Sequence, residues 1–277
     1  MKVTFLGQLH YFNCCIPERL EGCEIEKINY DPERRRDWLQ HDTDAWILFR
    51  PDFLYTVEEL RAMRGKKIWI STEPVERKNV MQLYKRMMSG FKNFTLITHY
   101  DRTHLSLLKK SGIDAVEFPL PVNLVQYHSW RTLPEYDFFF SGRSTPHRED
   151  LMTRLKRKYR FFHAAHGLID DRYVRAVNES SVALNLNIEG WPQLQHRLQN
   201  MLACGAFVMS ERQTHDGLLK PGVHYVEFKG KADLEEKAEY YLNHADERCR
   251  IAQCGMEFVK QNFNAETEWQ KIIQMVM

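Results

Sequence analysis

The chain has 277 residues, of which 43% are hydrophobic and 12% aromatic, enough for one large core or two ordinary ones and too much for a disordered chain. Lysine and arginine outnumber aspartate and glutamate by only 39 to 37, which argues against a dedicated nucleic-acid or polyanion binder. No apolar run approaches the roughly 20 residues that span a bilayer, and the opening MKVTFLGQLHYF enters a strand pattern rather than a secretion signal, so a cytoplasmic location is expected.

In chain order, Lys2–Leu6, Glu24–Asn29, Ala45–Phe49, Lys67–Ser71, Phe94–Thr98 and Ala115–Phe118 read as strands. Helical stretches separate them. Thr56-x-x-Glu59 is a capping box ahead of Leu60 and Met63, with Gly65 as the stop; Glu76–Ser89 and Thr103–Lys110 follow. Pro119–Pro134 carries three prolines without a sustained period and reads as a linker. A second series begins with strand Tyr136–Phe140, a helix to Tyr159 and strand Arg160–Ala164. It continues through helix Asp171–Asn178, strand Val182–Leu186, helix Gln193–Cys204 and strands Ala206–Ser210 and Val223–Phe228. Two helices follow, with apolar residues at Leu234, Ala238, Tyr241, Leu242 and at Ile251, Cys254, Phe258, Val259; the last helix, 265–277, carries Trp269, Ile272, Ile273 and Val276. Strand–helix alternation implies parallel sheets wrapped by helices, with ligands outside the carboxyl ends of the strands.

Several chemistries are absent from the sequence. It contains no Walker loop, no G-x-G-x-x-G, no H-E-x-x-H and no G-x-S-x-G. Six cysteines (Cys14, Cys15, Cys23, Cys204, Cys249, Cys254) lack metal-ligand spacing and read as reduced, mostly buried thiols. The most informative local chemistry follows the seventh strand, where Ser141-Gly142-Arg143 leads into Thr145-Pro146-His147-Arg148. Threonine caps a helix, proline suits its first position, and Gly142 lets backbone approach a ligand closely. A helix start seats phosphate, and Arg143 and Arg148 add planar forks that fit phosphate oxygens.

The run Gln193–Phe263, with Ala203-Cys204-Gly205 ending a helix before a short apolar strand, resembles the C-terminal nucleotide-sugar-binding half of GT-B glycosyltransferases, and within them the CgeB-like (spore maturation) group. The resemblance extends over Tyr136–Phe263. It implies an α/β GT-B fold of two Rossmann-like domains facing across a cleft. The boundaries are then 1–125 for an acceptor domain and 126–264 for a donor domain, with helix 265–277 crossing back. It also implies a metal-independent transferase of hexosyl or related groups, with a nucleotide-sugar as donor substrate and no separate cofactor. The acceptor, whether glycan, lipid-linked or protein, stays open, as does retention or inversion of the anomer. Rival readings are a sugar-nucleotide epimerase, a phosphorylase, a non-catalytic nucleotide- or sugar-binding module, and a nucleic-acid-modifying transferase.

The resemblance places Gly142, Arg143 and Arg148 by the donor diphosphate. Where the family has R-x-x-E, whose acid accepts from the ribose hydroxyls, this chain has Arg197-x-x-Asn200. Asparagine loses the charge-assisted part of that bond, on the order of 1 kcal/mol. Alanine at Arg143 or Arg197 is expected to abolish nucleotide binding and leave the fold intact. Asn187 and Glu189, in the loop after the strand ending at Leu186, are further donor candidates; Glu211 and Lys220 are donor contacts or solvated loop charges. An inverting reaction needs a base from the first half, and Glu73, His10 and His99 follow strands there. Glu73 is favoured because Pro74 fixes an extended carboxylate.

Overall fold

The computed structural model describes all residues except 35–36, 39–40, 74–81, 83–92, 131, 189–194 and 214–217. It divides into two compact units, Met1–Pro121 with Ala265–Met277, and Val122–Asn264.

The first unit is built on six parallel strands: β1 (Lys2–Gly7), β2 (Glu24–Asn29), β3 (Ala45–Phe49), β4 (Lys66–Ser71), β5 (Leu96–His99) and β6 (Val116–Glu117). Their order is β2-β1-β3-β4-β5-β6. All five residues of β3 are buried, as expected of a strand covered on both faces. Alternation sends Phe5, Ile47 and Phe49 into one core and Leu6, Trp46 and Leu48 into the other. Short helices connect the strands: α1 (Leu9–Phe12), α2 (Pro51–Leu54), α3 (Val57–Ala62) and α4 (Leu105–Lys110). The capping box at α3 is present, with Thr56 and Glu59 satisfying each other's backbone N–H groups. The helix expected over Glu76–Ser89 falls almost wholly outside the described residues. The one expected from Thr103 opens as a tight turn, Arg102–His104, because the Asp101 carboxylate caps the N–H of Thr103.

The second unit holds β7 (Tyr136–Ser141), α5 (Pro146–Lys158), β8 (Phe161–Ala164), α6 (Asp170–Asn178), β9 (Ser180–Asn185), α7 (His196–Ala203), β10 (Val208–Glu211), β11 (Val226–Phe228), α8 (Gly230–Asn243) and α9 (Ala245–Asn262). Its parallel sheet runs β11-β10-β9-β7-β8. Two strands start later than expected. Gly205 (φ 74°) and Ala206 donate to Leu202 and Met201, so the chain is still closing α7 before β10. Gly222 donates to Tyr225 and Val223 to Lys220, so a turn occupies the residues before β11.

The closing helix α10 (Ala265–Val276) packs in the core of the first unit. Ala265, Trp269, Ile272, Ile273 and Val276 fall on one face and are buried. The Trp269 ring meets Phe5 edge-on at 5.1 Å, and its indole N–H donates to the Cys15 carbonyl at 2.6 Å. Within each unit the strand order follows the doubly wound pattern 2-1-3-4-5, whose direction switches between the first and third strands. Ligand chemistry is therefore sought beyond the ends of β1 and β3 in one unit and of β7 and β9 in the other. No helix among the described residues is long and apolar enough to cross a membrane.

Candidate functional site

At the switch point of the second unit, Gly142 follows β7 with φ 153°. A Cβ there would lie 2.8 Å from a terminal nitrogen of Arg197 and 3.4 Å from one of Arg148. Glycine is what lets the two guanidinium groups reach the strand end. Both lie over the Phe140 ring, 5.2 Å for Arg148 and 5.1 Å for Arg197.

Neither guanidinium presents an open fork. Arg148, on α5, donates to the carbonyls of Asn187 (3.0 Å), Arg143 (2.9 Å) and Leu186 (2.8 Å). Arg197, on α7, donates to Ser141 O (2.9 Å), Leu186 O (2.7 Å), the Asn185 side chain (3.1 Å) and the Gln195 side chain. Burial, with the charge of Arg148 adding to it, lowers Arg197 to about 9, so the group still carries its proton at neutral pH. Burial likewise lowers Arg148. Two adjacent cations, Arg148 buried and Arg197 half-buried, endure because backbone carbonyls replace the water they lost. They tie the ends of β7 and β9 to α5 and α7, so removing Arg197 strips hydrogen bonds from the fold itself.

Arg143, by contrast, is exposed, and its side chain makes no hydrogen bond to the described residues. The N-terminus of α5 opens beside it. Thr145 accepts from the Arg148 N–H (3.3 Å) and donates to the Ile188 carbonyl (2.9 Å), fixing the helix start against the loop after β9. His163 donates from Nε2 to the Gly142 carbonyl at 2.9 Å, and its Nδ1 accepts from Lys156 at 3.1 Å.

Asn187 is 1% exposed, and its amide is spent on structure: it donates to Arg212 O and accepts from Gln195 and Gln213. Glu211 is no solvated charge. Its side chain, 11% exposed, accepts from the Asn187 N–H at 2.6 Å and pairs with His147 at 2.7 Å. Asn200 lies one turn beyond Arg197 on α7. It is 8% exposed, and its side-chain oxygen is buried with no hydrogen-bond partner among the described residues. Lys220 stays exposed in the turn before β11, where its N–H donates to His224, apart from this network. Glu189 lies outside the described residues.

In the first unit, His99 is fully buried. Its Nδ1 accepts from the Asp101 N–H (3.1 Å) and its Nε2 donates to the Glu73 carbonyl (3.2 Å). Burial, reinforced by His104, holds it down to about 4. A neutral imidazole with both nitrogens engaged takes no proton from an acceptor; it pins the backbone that carries Glu73. The Glu73 carboxylate pairs with Arg50 at 2.7 Å. His10 is exposed on α1 with its ring 4.0 Å from that of Tyr11. Sequence reasoning passed over Arg50 and Gln213 and gave Asn185 and His147 no role of their own. The signals that were present are a polar Asn185 inside the apolar run VALNL and an Arg-Pro pair directly after the buried strand AWILF.

Residues 128–274 match the family model described as glycosyl transferase-like, more than half of the chain, and the protein belongs to that family. It is a glycosyltransferase of GT-B fold. HepE of Anabaena, solved with UDP and glucose, superposes with a TM-score of 0.66 at 12% identity, over 100% of this chain and 99% of HepE. An α-glucosyltransferase solved with UDP and a 13-mer DNA gives 0.64 at 10% identity, over 100% and 99%. Sucrose-phosphate synthase of Thermosynechococcus elongatus gives 0.61 at 10%, over 99% and 87%. At such identities the likeness speaks to fold. No curated protein matches the chain by sequence.

Proposed function

We propose that the protein moves a sugar from a nucleotide-diphosphate sugar to an acceptor hydroxyl, with the donor seated on the second unit at the ends of β7 and β9. One observation carries this reading: exposed Arg143, the start of α5 and the Gly142 backbone meet at the edge where buried Arg148 and half-buried Arg197 are latched. Phosphate oxygens find a direct cation in Arg143 and a helix N-terminus in α5. Arg148 and Arg197 act through their charge and by holding the loops. Negative charge that develops on the leaving diphosphate is met by groups already in place. These cations neutralise the diphosphate without a metal ion.

Asn200 offers its unpartnered oxygen to a ribose hydroxyl, which removes the cost of a buried acceptor left unsatisfied. The Arg197-x-x-Asn200 pattern supports a place near the CgeB-like group with the acid exchanged for an amide. UDP is the first nucleotide to test, because HepE and the α-glucosyltransferase were both solved with it. If the anomer inverts, Glu73 or His10 supplies the base from the first unit, and His99 positions Glu73. Calorimetry with UDP, GDP, dTDP, CMP and ADP sugars, without added metal, tests the donor reading. One nucleotide diphosphate is expected to bind in clear preference; no binding by any member would defeat it.

A further inference from the structure

The first unit carries its own polar cluster at a strand edge. β1, β3 and β4 run in register, with Leu6 beside Leu48 and Phe49 beside Ile70. Residues just past their ends therefore share one edge: His10 and Tyr11 after β1, Arg50 after β3, Glu73 after β4. Gly7 draws the first two strands together there, since a Cβ on it would lie 2.8 Å from that of Phe49. Phe12 stacks on Phe49 at 4.5 Å, which holds α1 against the end of β3 next to Arg50.

Arg50 has φ 55° and ψ 47° and directly precedes Pro51. The left-handed region crowds a Cβ, and a following proline narrows the choices further. Such a conformation survives only where surrounding structure over-determines it, and it gathers at functional sites. Here it delivers the guanidinium to Glu73 at 2.7 Å, with the two side chains 20% and 31% exposed. Glu73 is thus held by its carboxylate from Arg50 and by its carbonyl from His99.

We propose that Arg50, Glu73 and the exposed Tyr11 ring bind the acceptor, and that the acceptor is an uncharged saccharide; this rests on the sugar-transfer reading above. A hydroxyl both donates and accepts, so a sugar diol donates to Glu73 and accepts from Arg50 at once. The pair is net neutral, so it offers no excess charge that would favour an anion or a cation over a neutral diol. Tyr11 is 66% exposed and offers an aromatic face to the C–H side of a pyranose ring.

The test titrates methyl glucoside, maltose and cellobiose, and the acidic sugars glucuronate and glucose 6-phosphate, into the intact chain and its Tyr11→Ala and Arg50→Gly variants, with UDP binding measured on each preparation. Glycine relieves the strain at position 50 but gives up the pairing with Glu73, so the thermal midpoint of Arg50→Gly is measured beside its binding; Tyr11 is exposed, so Tyr11→Ala folds. At least one neutral sugar is expected to bind, ten-fold or more weaker in both variants, with UDP affinity unchanged. The proposal is overturned if acidic sugars bind more tightly than neutral ones, if both variants bind the neutral sugars as the parent does, or if no neutral sugar binds. Absence of UDP binding by the parent overturns the donor reading instead, and the comparison of sugars across the three proteins still decides this one.

Discussion

Arg143 and Arg197 lie on the same strand edge and differ in what their side chains hold. Arg143 is exposed and its side chain bonds no other described residue, so Arg143→Ala is expected to weaken nucleotide binding ten-fold or more while stability changes by less than about 0.5 kcal/mol. Calorimetry and a urea midpoint on the same protein check both parts. Arg197 is half-buried and feeds three backbone or side-chain acceptors at 3.1 Å or less, besides Gln195. Its alanine variant leaves those acceptors bare and is expected to cost about 3 kcal/mol or more in urea unfolding. Arg197→Lys keeps the charge but lacks the planar fork, so it is expected to recover less than half of that loss. His99 sets an acid-side limit. Its folded value near 4 lies below the 6.5 of a free histidine, so the unfolded chain binds the proton first. The contribution of neutral His99 is full above pH 6.5 and is lost as pH falls toward 4, by about 3 kcal/mol at 1.36 kcal/mol per pH unit. Stability measured from pH 7 to 4 is expected to fall less steeply in His99→Gln than in the parent; parallel curves would contradict this.

Among the elements, α10 shows how a helix can be legible while its place is not. Its apolar face at Trp269, Ile272, Ile273 and Val276 stands out in the sequence as a buried stripe. Nothing in that stripe says which core it enters, because packing against Phe5, Phe118 and Cys15 joins residues far apart in the chain. Trp269→Ala is expected to destabilise the first unit by about 3–5 kcal/mol, the range for emptying a large aromatic site. Thermal unfolding followed by intrinsic fluorescence and far-ultraviolet dichroism checks it, and a change under 1 kcal/mol would contradict the packing described. Strands were equally legible: runs such as AWILF and YDFFF leave little room for another reading. Their ends were harder, because Gly205 and the turn at Gly222–Tyr225 use hydrogen bonds that no apolar pattern records.

At the scale of the whole molecule, alternation announced two parallel α/β units, but their strand order comes from long-range pairing and was not written in any segment. The order is what turns scattered motifs into a site. Gly142, Arg148, Asn187 and Arg197 are up to 55 residues apart and meet because β7 and β9 are neighbours at the switch point. Sequence reasoning found the arginines by their chemistry and missed that two of them would be latched onto backbone carbonyls. Partners such as Ser141 O and Leu186 O are backbone atoms, which side-chain patterns cannot reveal. Arg50 escaped notice for a related reason, since its meaning lies in a backbone angle.

The central claim is that the second unit holds a nucleotide diphosphate at the ends of β7 and β9. Amide chemical shifts of isotope-labelled protein titrated with UDP address it most directly. The account predicts that the largest shifts fall on Gly142, Arg143, Ser144, His147 and Asn200 and that in Arg143→Ala they need ten-fold or more UDP to appear. Shifts confined to other residues, or none at millimolar UDP, would contradict it.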